Sequence, residues 1–145
     1  MGALGRLLRT DEAGQSLIEF ALVLPLLLLI MTGLFDVARA TWQENTLAYA
    51  AREGTRYAIV HGSASVDGTV AYPGNEQPVI DVVRAAAVGV PNVSVTVTWL
   101  DGCYDRNCRV QVDATTPFIP IPSQYMLGDA FQITLRGGSL LVIQR

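Results

Sequence analysis

Apolar residues follow several different rhythms along this chain, and each change of rhythm marks an element. From Leu17 to Leu34 the eighteen residues LIEFALVLPLLLLIMTGL are apolar on every side, with Glu19 the one charge. An α-helix of that length reaches about 27 Å, close to the hydrocarbon thickness of a bilayer. Pro25 lies inside the run; it would break a helix in water, but a membrane span accommodates it as a kink. A buried core helix is the competing reading. Five leucines between Leu24 and Leu29, with no polar face, weigh against it.

The helical period continues past the apolar run. Val37, Ala40, Leu47, Ala51, Gly54 and Ala58 recur at spacings of three, four and seven, forming a narrow face of small or apolar residues interrupted by Glu44. Asp36, Arg39, Gln43, Asn45, Arg52 and Glu53 fall largely off it. The pattern predicts one helix over about 16–59, with a transmembrane part over 15–35 and an amphipathic stalk over 36–60. Small residues at Ala40, Ala51, Gly54 and Ala58, beside Leu47, would let a sheet or a neighbouring stalk approach closely.

A Gly/Ser/Asp/Pro-rich loop over 61–77 opens the remainder of the chain, 61–145. Pro78 then begins a shorter helical pattern through Val79, Val82, Val83, Ala86 and Ala87, ended by Gly89 and Pro91. From Val93 the period falls to two. Val93, Val95, Val97 and Trp99 alternate with polar residues, as do Val110, Val112 and Ala114, with a hairpin loop over 101–108 between them. A proline-rich crossing (Pro117, Pro120, Pro122) precedes a third strand at Phe131, Ile133 and Leu135. Gly137-Gly138 permits a bulge or turn, after which Leu140–Ile143 is a fourth strand or a continuation of the third. The fold class is α+β: a long N-terminal helix, a short second helix and an antiparallel sheet of three to four strands.

Composition narrows the function. Half of the 145 residues are apolar and only 16% are charged, an excess concentrated in the N-terminal run. Ten arginines, no lysine and thirteen acids give a net charge of −3, which disfavours binding to a phosphate backbone. Two cysteines and one histidine cannot build a Cys/His zinc site without carboxylates, so neither a metal nor another cofactor is expected. His61 stands in a Gly/Ser loop without a local nucleophile motif, and no nucleotide-binding glycine motif occurs. The chain reads as non-enzymatic, with no small-molecule substrate evident. Asn92-Val93-Ser94 matches a glycosylation pattern at the start of a strand, and Trp42, Trp99 and Tyr104 read as packing residues.

The residues at the mouth of the apolar run carry a sharper signal. Gly14 is followed by Gln15-Ser16-Leu17-Ile18 and then Glu19-Phe20, a small residue five positions before a glutamate. This resembles the cleavage motif of type IV prepilins. Over 14–58, GQSLIEFALVLPLLLLIMTGLFDVARA and NTLAYAAREGTRYA resemble the TadE-like family of tight-adherence (Flp) pilus assembly. The shared features are the Glu-Phe pair, the proline after the first turns, an acid at the membrane exit and the run Ala-Ala-Arg-Glu-Gly-Thr-Arg-Tyr. The resemblance implies a pilin-like fold and a minor pilin or pseudopilin, acting through helix packing with other pilins and pseudopilins of its system. It also implies a cytoplasmic leader over 1–14, cut by prepilin peptidase between Gly14 and Gln15. The product would be a single-pass protein of the bacterial inner membrane, N-terminus inside and C-terminal domain outside. Gln15 departs mildly from the family at the new N-terminus.

Physical chemistry adds a partner for Glu19. A charge near a helix centre in a membrane costs roughly 2.5–3.5 kcal/mol, less at the edge. Cleavage would create an α-amine on Gln15 about 6 Å along the axis, and the amine of an adjacent subunit could serve as well. A glutamate that snorkels to the interface is the plainer alternative. An ordinary signal peptide, cut after Ala38-Arg39-Ala40, competes for the N-terminus; Glu19, the length of the span and the helical pattern through Ala58 oppose it. For the whole chain, the rival is a membrane-tethered extracytoplasmic binding or adhesion domain that never joins a filament. In an exported domain Cys103 and Cys108 read as a local disulfide worth roughly 2 kcal/mol, rather than a redox pair.

Overall fold

The computed structural model describes residues 11–63, 65, 70–126 and 131–144. The apolar run and the stalk pattern form one continuous helix, α1, Asp11–Val60, with Pro25 inside it. The short helix α2, Gln77–Ala86, has its proline in the first turn, as the missing N–H requires, and Ala87 N–H closes its end on the Val83 carbonyl. Strands β1, Ser94–Trp99, and β2, Arg109–Phe118, form an antiparallel hairpin in which Val97 faces Val112 and Trp99 faces Val110. A one-and-a-half-turn helix, α3, Ile121–Met126, follows, and β3, Ile133–Val142, returns antiparallel to β2. The sheet order is β1-β2-β3.

One face of this sheet packs on the C-terminal half of α1, with α2 closing the core. Leu47, Ala51, Val79, Val83, Val110, Val112 and Ile143 are fully buried there. The α+β architecture is the one the periodicities predict, with three described strands.

Three local differences have physical causes. Pro117 lies inside β2 rather than in a crossing. Pairing with β1 ends at Thr115, so at Pro117 one flank of the strand has no ladder for a missing N–H to break. Residues 121–126, expected as part of that crossing, are helical, with Pro122 in the first turn. Finally, Gly137-Gly138 makes neither the turn nor the bulge it permits: β3 runs straight through the pair, so the run from Leu140 continues the third strand, the second of the two alternatives. The glycines serve a close approach instead, since a β-carbon on Gly137 would overlap the α1 backbone at Leu47–Ala48.

Candidate functional site

The first region of interest is the N-terminal half of α1, which the domain leaves bare. Leu22, Leu26, Leu29, Leu34 and Phe35 are all more than half exposed. The most apolar eighteen-residue window has a mean hydropathy of 2.4 and none of it is buried, so the helix is long and apolar enough to cross a membrane. Thr32, its one hydroxyl between Leu17 and Leu34, donates to the Leu28 and Leu29 carbonyls and so exposes no unpaired donor. Gln15, Glu19 and Phe20 are exposed on this helix, and Gly14 has open space where a β-carbon would stand. The expected leader, 1–14, falls mostly on residues 1–10, outside the described residues.

The second is a junction just beyond Phe35. Asp36 is 6% exposed, and its Oδ2 accepts the Ile121 N–H at 2.8 Å. One turn on, Arg39 Nη2 donates to the Ile119 carbonyl at 2.7 Å and lies 3.3 Å from Asp36 Oδ1. The guanidinium carbon stands 4.7 Å from the centroid of the Phe118 ring. The next residue on this side, Gln43, is also buried, and its Oε1 has no hydrogen-bond partner among the described residues. Asp36 and Gln43 are therefore buried although they lie off the apolar face. The reason is topological: the end of β2 and the turn into α3 fold back over this side of α1 and bring one backbone donor to Asp36 Oδ2 and one backbone acceptor to Arg39 Nη2. Sequence reading finds an acid at the membrane exit but not its partners, which lie eighty or more positions away.

The third is the stalk face. Leu47, Ala51 and Ala58 are fully buried, Gly54 is buried and Ala40 is half-buried. A β-carbon on Gly54 would overlap Val83 of α2 and touch Val112 of β2. Of the two occupants considered for this face, sheet or neighbouring stalk, the chain's own domain fills it. What α1 leaves for another subunit is the bare span and the opposite side of the stalk, where Thr41, Asn45, Tyr49, Arg52 and Arg56 are exposed.

At the far end of the stalk, Cys103 and Cys108 are joined by a disulfide in the β1–β2 loop. The loop is clipped again by Arg109, whose Nη2 and Nε donate to the Asp101 carboxylate at 2.8 and 3.1 Å, while its backbone N–H donates to Oδ2 at 2.8 Å. These contacts hold the Asp101 carboxyl below its usual range. His61 stacks on Tyr57, with ring centroids 3.9 Å apart, and its Nδ1 lies 2.9 Å from the Tyr57 carbonyl. Among the described residues, no three His, Cys, Asp or Glu side chains gather where they could hold a metal ion.

Comparison with known proteins bears on the first three regions. Residues 14–56 match the family model described as TadE-like protein. The match begins at the Gly14–Glu19 motif, takes in the bare span and the Asp36–Arg39 junction, and ends within the stalk. No curated protein and no solved structure matches the chain.

Proposed function

We propose that this chain is a TadE-like minor pilin or pseudopilin of a tight-adherence pilus system, anchored in the bacterial inner membrane by α1. Prepilin peptidase would cut between Gly14 and Gln15, and the mature chain would pack its helix against other pilins and pseudopilins. One observation carries this reading: the TadE-like match coincides with a helix that is bare and apolar at its N-terminal half and buried in its own domain at the other.

The geometry also bears on the competing N-terminus. A signal-peptidase cut after Ala40 would sever a continuous helix and remove both Asp36 and Arg39, which tie α1 to the β2–α3 turn. A cut after Gly14 leaves those bonds intact. In this reading residues 1–14 are cytoplasmic and the sheet domain is outside, and the Cys103–Cys108 disulfide supports that side for the domain, since disulfides persist in oxidising compartments.

The test is the intact mass of the membrane-extracted protein together with N-terminal sequencing. A mature chain of residues 15–145 that co-purifies with sheared pili or with other pilins supports the reading. Met1 or Thr41 at the N-terminus overturns it. A chain that remains uncut in the membrane fraction favours a tethered domain outside any filament.

A further inference from the structure

We infer that the turn and short helix after β2, together with the start of β3, form a second membrane-contacting element, seated in the lipid headgroup layer beside the span. This rests on the reading of Leu17–Leu34 as a bilayer-spanning segment.

Height is the first argument. A bilayer's polar layer adds about 5–7 Å to each side of its hydrocarbon core. Asp36 lies two positions and Arg39 five positions beyond Leu34, which is about 3 Å and 7.5 Å along the helix axis. Both are bonded directly to the turn into α3, through the Ile121 N–H and the Ile119 carbonyl. Ile119–Ile121 are therefore pinned at the height of the headgroups and cannot ride up with the rest of the domain.

Direction is the second. Along β3, Gly137 lies against Ala48, and the Ser139 carbonyl oxygen lies 3.5 Å from Thr55 Oγ1. The strand thus climbs away from the span as its numbers rise, and Ile133, paired with Phe118, sits at the lower end. The β1–β2 hairpin is at the other end, where the Ser63 N–H bonds to the Tyr104 carbonyl just past the end of α1.

Chemistry is the third. Tyr125 is 85% exposed, Phe131 52% and Ile133 46%. Neither 115–126 nor 131–135 contains a charged residue, whereas the distal loop holds Asp101, Asp105 and Arg106. Tyrosine is favoured at a membrane–water boundary because one end of its ring is apolar and the other wet, and Phe131 and Ile133 beside it offer purely apolar surface. Arg39, its side chain 40% exposed, brings a cation to the level of the lipid phosphates. The exposed apolar surface is continuous in height with Leu34, Phe35 and Val37, so lipid is the occupant that the chain's own anchoring supplies.

The experiment uses the full chain. Both native cysteines are in the disulfide, so an introduced cysteine is the single free thiol. Leu28→Cys, Tyr125→Cys and Arg106→Cys would each be spin-labelled and reconstituted into phosphatidylethanolamine/phosphatidylglycerol vesicles. Collision with oxygen, which concentrates in lipid, is then compared with collision with a water-soluble nickel chelate. The expected result is a label at 125 with an oxygen-to-nickel ratio several-fold above that at 106 and below that at 28. A lipid-like label at 28 with a water-like label at 125 overturns the inference and leaves the span standing. A water-like label at 28 overturns both. A label at 125 shielded from both reagents, and only at high protein-to-lipid ratio, shows that another subunit covers the surface and overturns the lipid assignment.

Discussion

Gly137 of β3 and Ala48 of α1 meet backbone to backbone: a β-carbon on Gly137 would stand 2.7 Å from the Ala48 Cα, with the Ala48 nitrogen and the Leu47 carbonyl carbon nearer still. No side-chain rotation relieves that overlap, because all three atoms belong to the helix backbone. The helix could reach this sheet so closely only over a glycine.

Gly137→Ala should therefore push α1 off β3 and cost about 1–3 kcal/mol, the range for overpacking a filled core. Gly138→Ala is the control. Its new β-carbon would meet Asp113 Oδ1 at 2.6 Å, a side-chain atom paired with Arg136 at 2.9 Å rather than helix backbone, so the loss should be smaller than at Gly137, about that of a partly exposed ion pair, up to ~1 kcal/mol. Thermal unfolding of the two variants in detergent, followed by near-ultraviolet circular dichroism, separates them. Equal losses would mean that the helix–sheet contact is looser than these distances state.

This contact also shows where sequence reading stops. Gly137-Gly138 carries a correct signal, a need for no side chain, but the cause lies in a helix ninety residues earlier, and local rules supply a bulge or turn instead. Pro117 goes the same way, since whether a strand tolerates proline depends on where its neighbour ends. By contrast, the stalk face and the alternating strands are legible because each depends on period alone, which burial on one side imposes directly, and the bare span is legible from the length of an unbroken apolar run. Leu47, Ala51, Gly54 and Ala58 are readable as a packing face, though period does not say whether their own sheet or another subunit covers them. Asp36 and Arg39 are unreadable as a pair of clips for the same reason: their donor and acceptor are backbone groups of residues 121 and 119, which no side-chain pattern announces.

Removing the Asp36 carboxylate should release that turn. Asp36→Ala leaves the Ile121 N–H without its acceptor and Arg39 without its nearby acid, a loss of about 1–3 kcal/mol. Asp36→Asn keeps an acceptor and should recover part of it. Limited proteolysis of the detergent-solubilised chain reads the effect locally: cleavage within 119–126 should quicken in the alanine variant more than in the asparagine one. Unchanged protection in both would show that the turn is held by Phe118 and Arg39 alone.

The distal loop should loosen in acid. Asp101 has its carboxyl held below the ordinary value of 3.8, first by the Arg109 side-chain hydrogen bonds and then by the Arg109 backbone N–H. A group lowered in the folded state adds stability that is complete above its unfolded pKa and is lost as pH falls through the folded one. The clip should accordingly be intact at neutral pH and fade below about pH 4, with Asp101→Asn abolishing that dependence. Amide exchange of Arg109 and its neighbours across an acid titration measures it. Both groups are exposed, so the effect should remain local to the loop, and a drop in global stability over the same range would point to another carboxylate.

The last prediction separates the two roles proposed for the N-terminal motif. Gly14 lies within α1, which begins at Asp11, so the Gly14–Gln15 bond must leave its helix before a protease can bind it extended. A glycine there lowers the cost of unwinding, being about 1 kcal/mol poorer than alanine in a helix, and leaves the bond uncrowded. Glu19 acts later and differently. Its carboxylate, exposed on an otherwise apolar helix, needs an amine once the span is surrounded by lipid or by other helices. Gly14→Val should therefore accumulate the uncut precursor, whereas Glu19→Ala should be cut normally yet fail to co-purify with other pilins. Mass spectrometry of membrane extracts and pull-down from the same cells provide the two readouts. If Glu19→Ala blocked cleavage, or Gly14→Val were cut at the wild-type rate, the division of labour between the two residues would be wrong.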